Sequence, residues 1–336
     1  SSLILLVIGK DPLETFQIMF EYGIRGKSIV SIINRSIPLY ISAIAVAVGF
    51  KMGLFNIGVE GQYLMGSLVA AYVGAQFSVI TPLHILFIII IAVATSSLWA
   101  AIAGYLKVEK GIHEVISTIM LNYIGTGLIA YSLTTIFDEP NSNYDLPRTK
   151  ELPETGKMPA LNKFFNIEDL QDLHGFLVIA LIIGFFYYWL VWKTTLGFDL
   201  RITGSNPMAA KFSGINPKKL IVIAMITSGG FAGLVGLAPL LGYFHRYTID
   251  FPTGLGFADI GVALLGRNHP FGMAIGALLF AFLQRSSQIL DLNDVPKEIE
   301  QMMQAFILLI VVVFYEVIRR FIVKQQIKDA SKRADE

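Results

Sequence analysis

Long apolar runs, broken by short polar stretches, set the pattern of this chain. Residues 29–50, 57–77, 82–106, 114–137, 175–192, 220–243, 271–290 and 299–318 each read as a membrane span, since about 20 apolar residues cross the hydrocarbon layer. Residues 257–266 form a shorter run, and residues 1–9 read as the outer end of a first span that begins before residue 1. Together these give an all-α polytopic membrane protein of about ten spans in a single transmembrane domain. Pro38 lies inside the 29–50 run and predicts a kink there. In residues 11–26, Leu13, Phe16, Met19 and Ile24 recur at helical spacing, which predicts a helix lying in the membrane interface.

The polar stretches decide orientation, because Lys and Arg collect on the cytoplasmic side. The tail at 319–336 holds Arg319, Arg320, Lys324, Lys328, Lys332 and Arg333, and residues 193–219 hold Lys193, Arg201, Lys211, Lys218 and Lys219. Lys107 and Lys110 mark a short turn. With ten spans all three fall on one side, which predicts a tail and a 194–218 loop in the cytoplasm, both termini inside, and the long loop at 138–174 outside.

Composition agrees. The chain is 54% hydrophobic and 15% charged, against roughly 25% charged in soluble domains. A net charge of +1 offers no field for nucleic acid. With no cysteine, disulfides and thiolate chemistry are excluded. His84, His113, His174, His245 and His269 are scattered without metal-ligand spacing. Gly26-Lys27-Ser28 resembles the end of a phosphate loop, but that motif's first glycine would fall at Glu21. No catalytic constellation or complete nucleotide loop is present, so this is not read as an enzyme, and ATP chemistry would have to come from a partner.

Two stretches repeat each other. Gly53-Leu-Phe-Asn56-Ile57-Gly58-Val59 resembles Gly256-Phe-Ala-Asp259-Ile260-Gly261-Val262. The first opens its span from inside and the second from outside, which makes an inverted repeat. Glycine-broken helices at matching positions of such repeats point to a midplane substrate path. Polar side chains gather nearby: Asn56, Glu60 and Gln62 at one break, Asp259 at the other, and Ser117, Thr118 and Asn122 in the 114–137 run. With the aromatics Phe55, Tyr63, Tyr123, Phe231 and Phe257 they suit a neutral, flat, hydrogen-bonding cargo rather than an ion. The same residues equally suit interhelical hydrogen bonding, and Glu60 and Glu114 suit helix N-termini.

The segment at 197–216, GFDLRITGSNPMAAKFSGIN, is neither apolar nor loop-like. It predicts a short, mildly basic helix held at the membrane surface between Gly204 and Gly214. Its pattern of Gly197, Arg201, Gly204, Ser205, Asn206, Ala209, Ala210 and Gly214 resembles the cytoplasmic coupling loop of ABC importer permeases of the ribose, branched-chain amino acid and nucleoside group. Phe55-Asn56-Ile57-Gly58-Val59-Glu60-Gly61-Gln62 resembles that group's FNIGxEGQ signature. The segment from Glu114 to Ile124 resembles the fifth span of its nucleoside branch, whose members work with a lipoprotein of the basic membrane protein family.

The resemblance implies a fold similar to the vitamin B12 importer permease, in a bacterial plasma membrane. It implies an ATP-binding cassette ATPase that carries ATP and Mg, a second and different permease subunit, and a lipid-anchored substrate-binding protein. This chain itself would bind no cofactor. Its cargo would be a nucleoside, with ribose or a branched-chain amino acid as the alternative. A secondary transporter coupled to ions would suit the inverted repeat but has no use for the coupling pattern.

Overall fold

A computed structural model describes residues 5–6, 9–138, 146–164, 172–293, 295–296, 299–311 and 313–314. The expected cytoplasmic tail at 319–336 and most of the expected first span lie outside these residues. The structure is helical throughout, and among the described residues the only β pairing is two isolated bridges, Arg148 with Thr248 and Ala160 with His174.

The chain divides into two compact units, residues 24–281 and the pair of ends 1–23 with 282–336. In the unit of the two ends, α1 (Pro12–Gly23) buries Thr15, Met19 and Gly23 on one face. Met19 packs with Leu5, Leu283, Leu290, Val295 and Ile299. Leu13 and Phe20 stay exposed. The helix expected at 11–26 is therefore present, apolar on more than its buried face.

In the larger unit, α2 (Gly26–Lys51) is followed by a broken turn and α3 (Val59–Gly74). Then come α4 (Thr81–Lys110), α5 (Glu114–Thr135) and the short α6 (Leu161–Phe164). Next are α7 (Phe176–Lys193), α8 (Thr195–Ser205), α9 (Pro207–Phe212) and α10 (Pro217–Ala232). α10 runs on through the one-turn α11 (Leu237–Pro239) into a π-helical turn, Leu240–Phe244. After a second break come α12 (Leu255–Leu265) and α13 (Pro270–Ser286), the end of which enters the other unit. A further apolar helix, α14, covers Ile299–Val311.

Among the described residues, six helical stretches are long and apolar enough to cross a membrane. They are α2, α4, α5, α7, and the continuous runs from Pro217 to Phe244 and from Pro270 to Asn293. The span expected at 57–77 is shorter than read. α3 has 16 residues, or about 24 Å at 1.5 Å per residue, against a hydrocarbon layer of about 30 Å. Gly58 sits at its N-cap and Ala75 ends it, which trims both ends of the apolar run. α12 has 11 residues and reaches about 16 Å by the same rise. The two short helices begin at the two copies of the sequence repeat.

The spans differ in how deeply they sit. α2 and the Pro217–Phe244 stretch are mostly buried, whereas α4 and α5 are mostly exposed along their apolar length. Leu98, Tyr123 and Ile124 are among the large apolar side chains left on that outer surface, as expected of faces that meet lipid or another subunit.

The long loop at 138–174 carries regular backbone bonding in its described residues. Its residues 139–145 and 165–171 lie outside the described set. The remainder holds a 3₁₀ turn at Glu154–Gly156 and pairs with the segment after the π turn: Thr149 N donates to Tyr247 O (2.9 Å), Leu152 N to His245 O (2.8 Å) and Met158 N to Leu241 O (2.9 Å).

Candidate functional site

The two broken segments meet. α2 ends where Gly53 N donates to Phe50 O (3.1 Å) and Leu54 N to Gly49 O (2.9 Å). The chain then runs through Phe55 and Asn56 into α3. Asn56 is 1% exposed and ties three pieces of chain together. Its Nδ2 donates to Gln62 Oε1 (3.0 Å) and to Ser228 Oγ on α10 (2.8 Å). Its Oδ1 accepts from Gly58 N (3.1 Å) and Gln62 Nε2 (2.9 Å). Ser228 Oγ in turn donates to Ala45 O on α2 (2.6 Å), and Ser96 Oγ on α4 donates to Gln62 O (2.7 Å).

Glu60, one turn further on, serves the other break. Its Oε1 accepts from Gly254 N (2.6 Å) and Tyr63 Oη (3.0 Å), and its Oε2 accepts from Gly256 N (2.7 Å). The expectation that Glu60 caps a helix N-terminus is met, but the helix is α12 rather than its own. The approach is close: a Cβ on Gly256 would stand 2.5 Å from Glu60 N, so only glycine fits there.

Asp259, on the first turns of α12, is fully buried, and neither carboxyl oxygen has a hydrogen-bond partner of good geometry. The Ser42 hydroxyl on α2 and the Glu60 carboxylate are the polar groups that bear on it.

α5 secures the first break from the side. Asn122 Nδ2 donates to Ile57 O (2.9 Å), and its Oδ1 accepts from Gly61 N (2.9 Å). Ser117 and Thr118 turn their hydroxyls back to the carbonyl of Glu114 (3.1 and 2.7 Å). Glu114 pairs with Lys107 and accepts from Phe55 N (3.3 Å).

Of the residues read as a path, the structure thus joins Asn56, Glu60, Gln62, Asn122 and Asp259 around the meeting breaks. Tyr123 is three-quarters exposed on the outer surface of α5. Phe55 is half-exposed and packs edge-on to Phe50. Phe231 is buried among Phe186 and Tyr187. The side chain of Phe257 lies outside the described residues. Ser228 and Ser42 were not singled out from the sequence, although a lone serine in an apolar run is the signal that finds them.

The segment at 197–216 is two helices rather than one. Asn206 separates them and caps α9, its Oδ1 accepting from Met208 N (3.1 Å) and Ala209 N (3.0 Å). Gly204, read as a flanking breaker, lies inside α8. A Cβ there would stand 2.3 Å from Lys51 O, so glycine lets α8 press against the end of α2. Gly197 makes a like approach to the end of α7, 2.2 Å from Leu190 O. Arg201 Nε donates back to Gly197 O (3.3 Å), and Ser205 Oγ to Ile202 O (2.9 Å). Leu200 on α8 packs with Met52 and Leu54 of the first break and with Leu220, Ala224 and Met225 of α10. Ala210 is buried, while Met208 and Phe212 are exposed at 64% and 86%.

At the far end of the spans, a cavity of about 570 Å³ is lined by Thr81, Glu154, Lys157, Asp172, His174 and His245 among others. Lys157 pairs with Glu151 (2.8 Å) and Glu154 (2.6 Å), and Arg246 also pairs with Glu151. The Lys157 hydrogen bond holds the Glu151 carboxyl below its usual range, and hydrogen bonds to Glu151 and Glu154 raise Lys157. Burial pushes both His174 and His245 down.

The family described as branched-chain amino acid transport system / permease component matches residues 28–312. The chain is 34% identical over 322 residues to the guanosine ABC transporter permease protein NupP of Bacillus subtilis, covering 94% of this chain and 90% of that one. It is 30% identical over 315 residues to the nucleoside ABC transporter permease protein NupB of Lactococcus lactis subsp. cremoris, covering 93% and 86%. It is 27% identical over 314 residues to the glucose ABC transporter permease protein TsgB13 of Haloferax volcanii, covering 92% and 82%.

Proposed function

The chain belongs to the family of branched-chain amino acid transport system permease components, and from that premise we propose that it is the transmembrane subunit of an ATP-driven nucleoside importer. One observation carries the mechanism: α8 rests against Lys51–Leu54 through Gly204 and Leu200, and that segment leads within two residues to Asn56 at the meeting breaks. A force applied to α8 and α9 is delivered to the first break without passing through a flexible loop.

The partner that applies it is an ATP-binding cassette ATPase, which holds ATP and Mg. The exposed Met208 and Phe212 on α9 are the apolar contacts offered to it, together with the basic Arg201 and Lys211. A second permease subunit, a different chain, completes the pathway and covers exposed apolar faces. A lipid-anchored binding protein delivers cargo to the outer loop and its cavity. Among the described residues the six long stretches with the short α3, α12 and α14 make nine of the about ten crossings of an arrangement like that of the vitamin B12 importer permease, with both termini in the cytoplasm of a bacterial cell.

In the transport cycle, closure of the ATPase moves α8 and α9. The ends of α2 and α7 follow, and the cavity switches from outward-open to inward-open as rigid helices shift against each other. Nucleosides are supported as cargo by the guanosine and nucleoside permeases among the relatives. The Haloferax relative, named for glucose, favours a sugar as the second reading.

The test is uptake of radiolabelled guanosine or uridine into proteoliposomes that hold the chain with its ATPase, second permease and binding protein. ATP-dependent uptake that unlabelled nucleoside blocks, and that deletion of residues 205–213 abolishes, is the expected result. ATP-driven uptake of glucose or ribose alone would move the cargo to sugars. Uptake without the ATPase would overturn the coupling role of α8 and α9.

A further inference from the structure

The two copies of the repeat place an amide and a carboxyl at the same position, and the surroundings treat them differently. Asn56, in the first copy, satisfies its amide with Ser228, Gln62 and Gly58. Asp259, in the second, has neither oxygen in a hydrogen bond of good geometry, and Ser42 Oγ, the hydroxyl that bears on it, is likewise buried without one. The nearby groups that could have helped are already engaged. Both oxygens of Glu60 are taken by Gly254 N, Gly256 N and Tyr63 Oη. The single Tyr63 proton is shared between Glu60 Oε1 and Pro252 O (2.9 Å).

A buried polar group without a partner costs about 1–3 kcal/mol, more when it is charged. Ionisable groups within spans therefore mark functional positions. A serine and a carboxyl left over at the junction of two half-helices are complementary to a ligand that brings hydrogen-bond donors. We propose that Asp259, with Ser42, is the subsite that takes the vicinal hydroxyls of the cargo. Two adjacent O–H donors match the two oxygens of one carboxyl, and the serine hydroxyl can serve a neighbouring oxygen. A free base or a branched-chain amino acid lacks the diol. The subsite is closed in this conformation and takes its ligand when the half-helices part from α2 during the cycle.

This inference rests on the nucleoside reading and deepens it. The test removes the binding protein, whose own selectivity would mask the subsite. The purified permease pair with its ATPase is held nucleotide-free or trapped with ATP and vanadate. Displacement of labelled uridine by uridine and by 2′,3′-dideoxyuridine is then measured.

In the wild-type complex the dideoxy analogue is expected to compete at least tenfold more weakly, since a site built for a hydroxyl rejects the analogue that lacks it. In Asp259→Ala the two should compete equally, and in Asp259→Asn the ratio should be intermediate. A ratio unchanged by Asp259→Ala would overturn the subsite and leave Asp259 a packing residue, whatever the variant does to stability. Absence of uridine binding in both states, from a transporter that imports uridine when complete, would also overturn it while leaving the nucleoside reading intact. Failure of the complete transporter to import any nucleoside would remove the reading beneath it.

Discussion

At Asn56 one amide joins a turn, α3 and α10. Replacing it with leucine leaves Gln62 and Gly58 N without their partners inside an apolar bundle. Stranded groups of this kind cost about 1–3 kcal/mol, so Asn56→Leu is expected to lower the thermal midpoint of the detergent-solubilised protein, whereas Tyr123→Leu on the exposed face should not. Gly204 gives a prediction of opposite sense to the usual rule. Alanine ordinarily stabilises a helix relative to glycine by about 1 kcal/mol, but here its methyl meets Lys51 O at 2.3 Å. Gly204→Ala is therefore expected to destabilise the protein and to weaken stimulation of the partner ATPase by loaded binding protein. The polarity of Asn56, Gln62 and Asp259 was legible in the sequence as a departure from apolar surroundings. Their partners were not: Ser228 stands 172 residues from Asn56, and no local pattern reports so distant a contact.

The helices α2, α4, α5, α7, α10 and α13 could be read from the length and hydropathy of their runs, because backbone groups in lipid have few alternatives to the helix. The limits of α3 could not, since Gly58 and the turn after Gly74 sit within apolar sequence. The split between α8 and α9 carried a readable signal that was outweighed by the glycines: Asn206 followed by Pro207 is an N-cap with proline in the first turn. The loop at 138–174, whose polar composition marks only an excursion between spans, is bonded to residues 241–247. This element carries a prediction about pH. The folded state depresses His174 and His245 through burial and Glu151 through the Lys157 hydrogen bond. A depressed group contributes stability that is present above its unfolded value, about 6.5 for histidine and about 4.3 for glutamate. That stability is lost as pH falls through the folded value. Exchange protection of the Thr149, Leu152 and Met158 amides should be level above about pH 7 and fall in acid, first with the histidines and then with Glu151. The Glu151 step should be small and salt-sensitive, because its side chain is 42% exposed. Protection that rises in acid would contradict the assignment.

For the molecule as a whole, the two copies of the seven-residue repeat each lead into a short helix, and the starting points of the two helices are in contact through Glu60. Both breaks are legible in the sequence; their contact is not, since it depends on how α2 and α10 bring together residues 196 apart in the chain. The clasp has a consequence for any large motion. Separating α3 from α12 would strip Glu60 of two backbone donors at once, Gly254 N and Gly256 N. The less costly route is for the two half-helices to travel as a rigid body, with the sliding surface on their far sides, against α2 and α10. A spin label on α3 and another on α12 should then keep a constant separation through the ATP cycle, while the separation between α12 and α2 changes. A transporter built this way has its fulcrum, rather than its gate, at the point where its two halves meet.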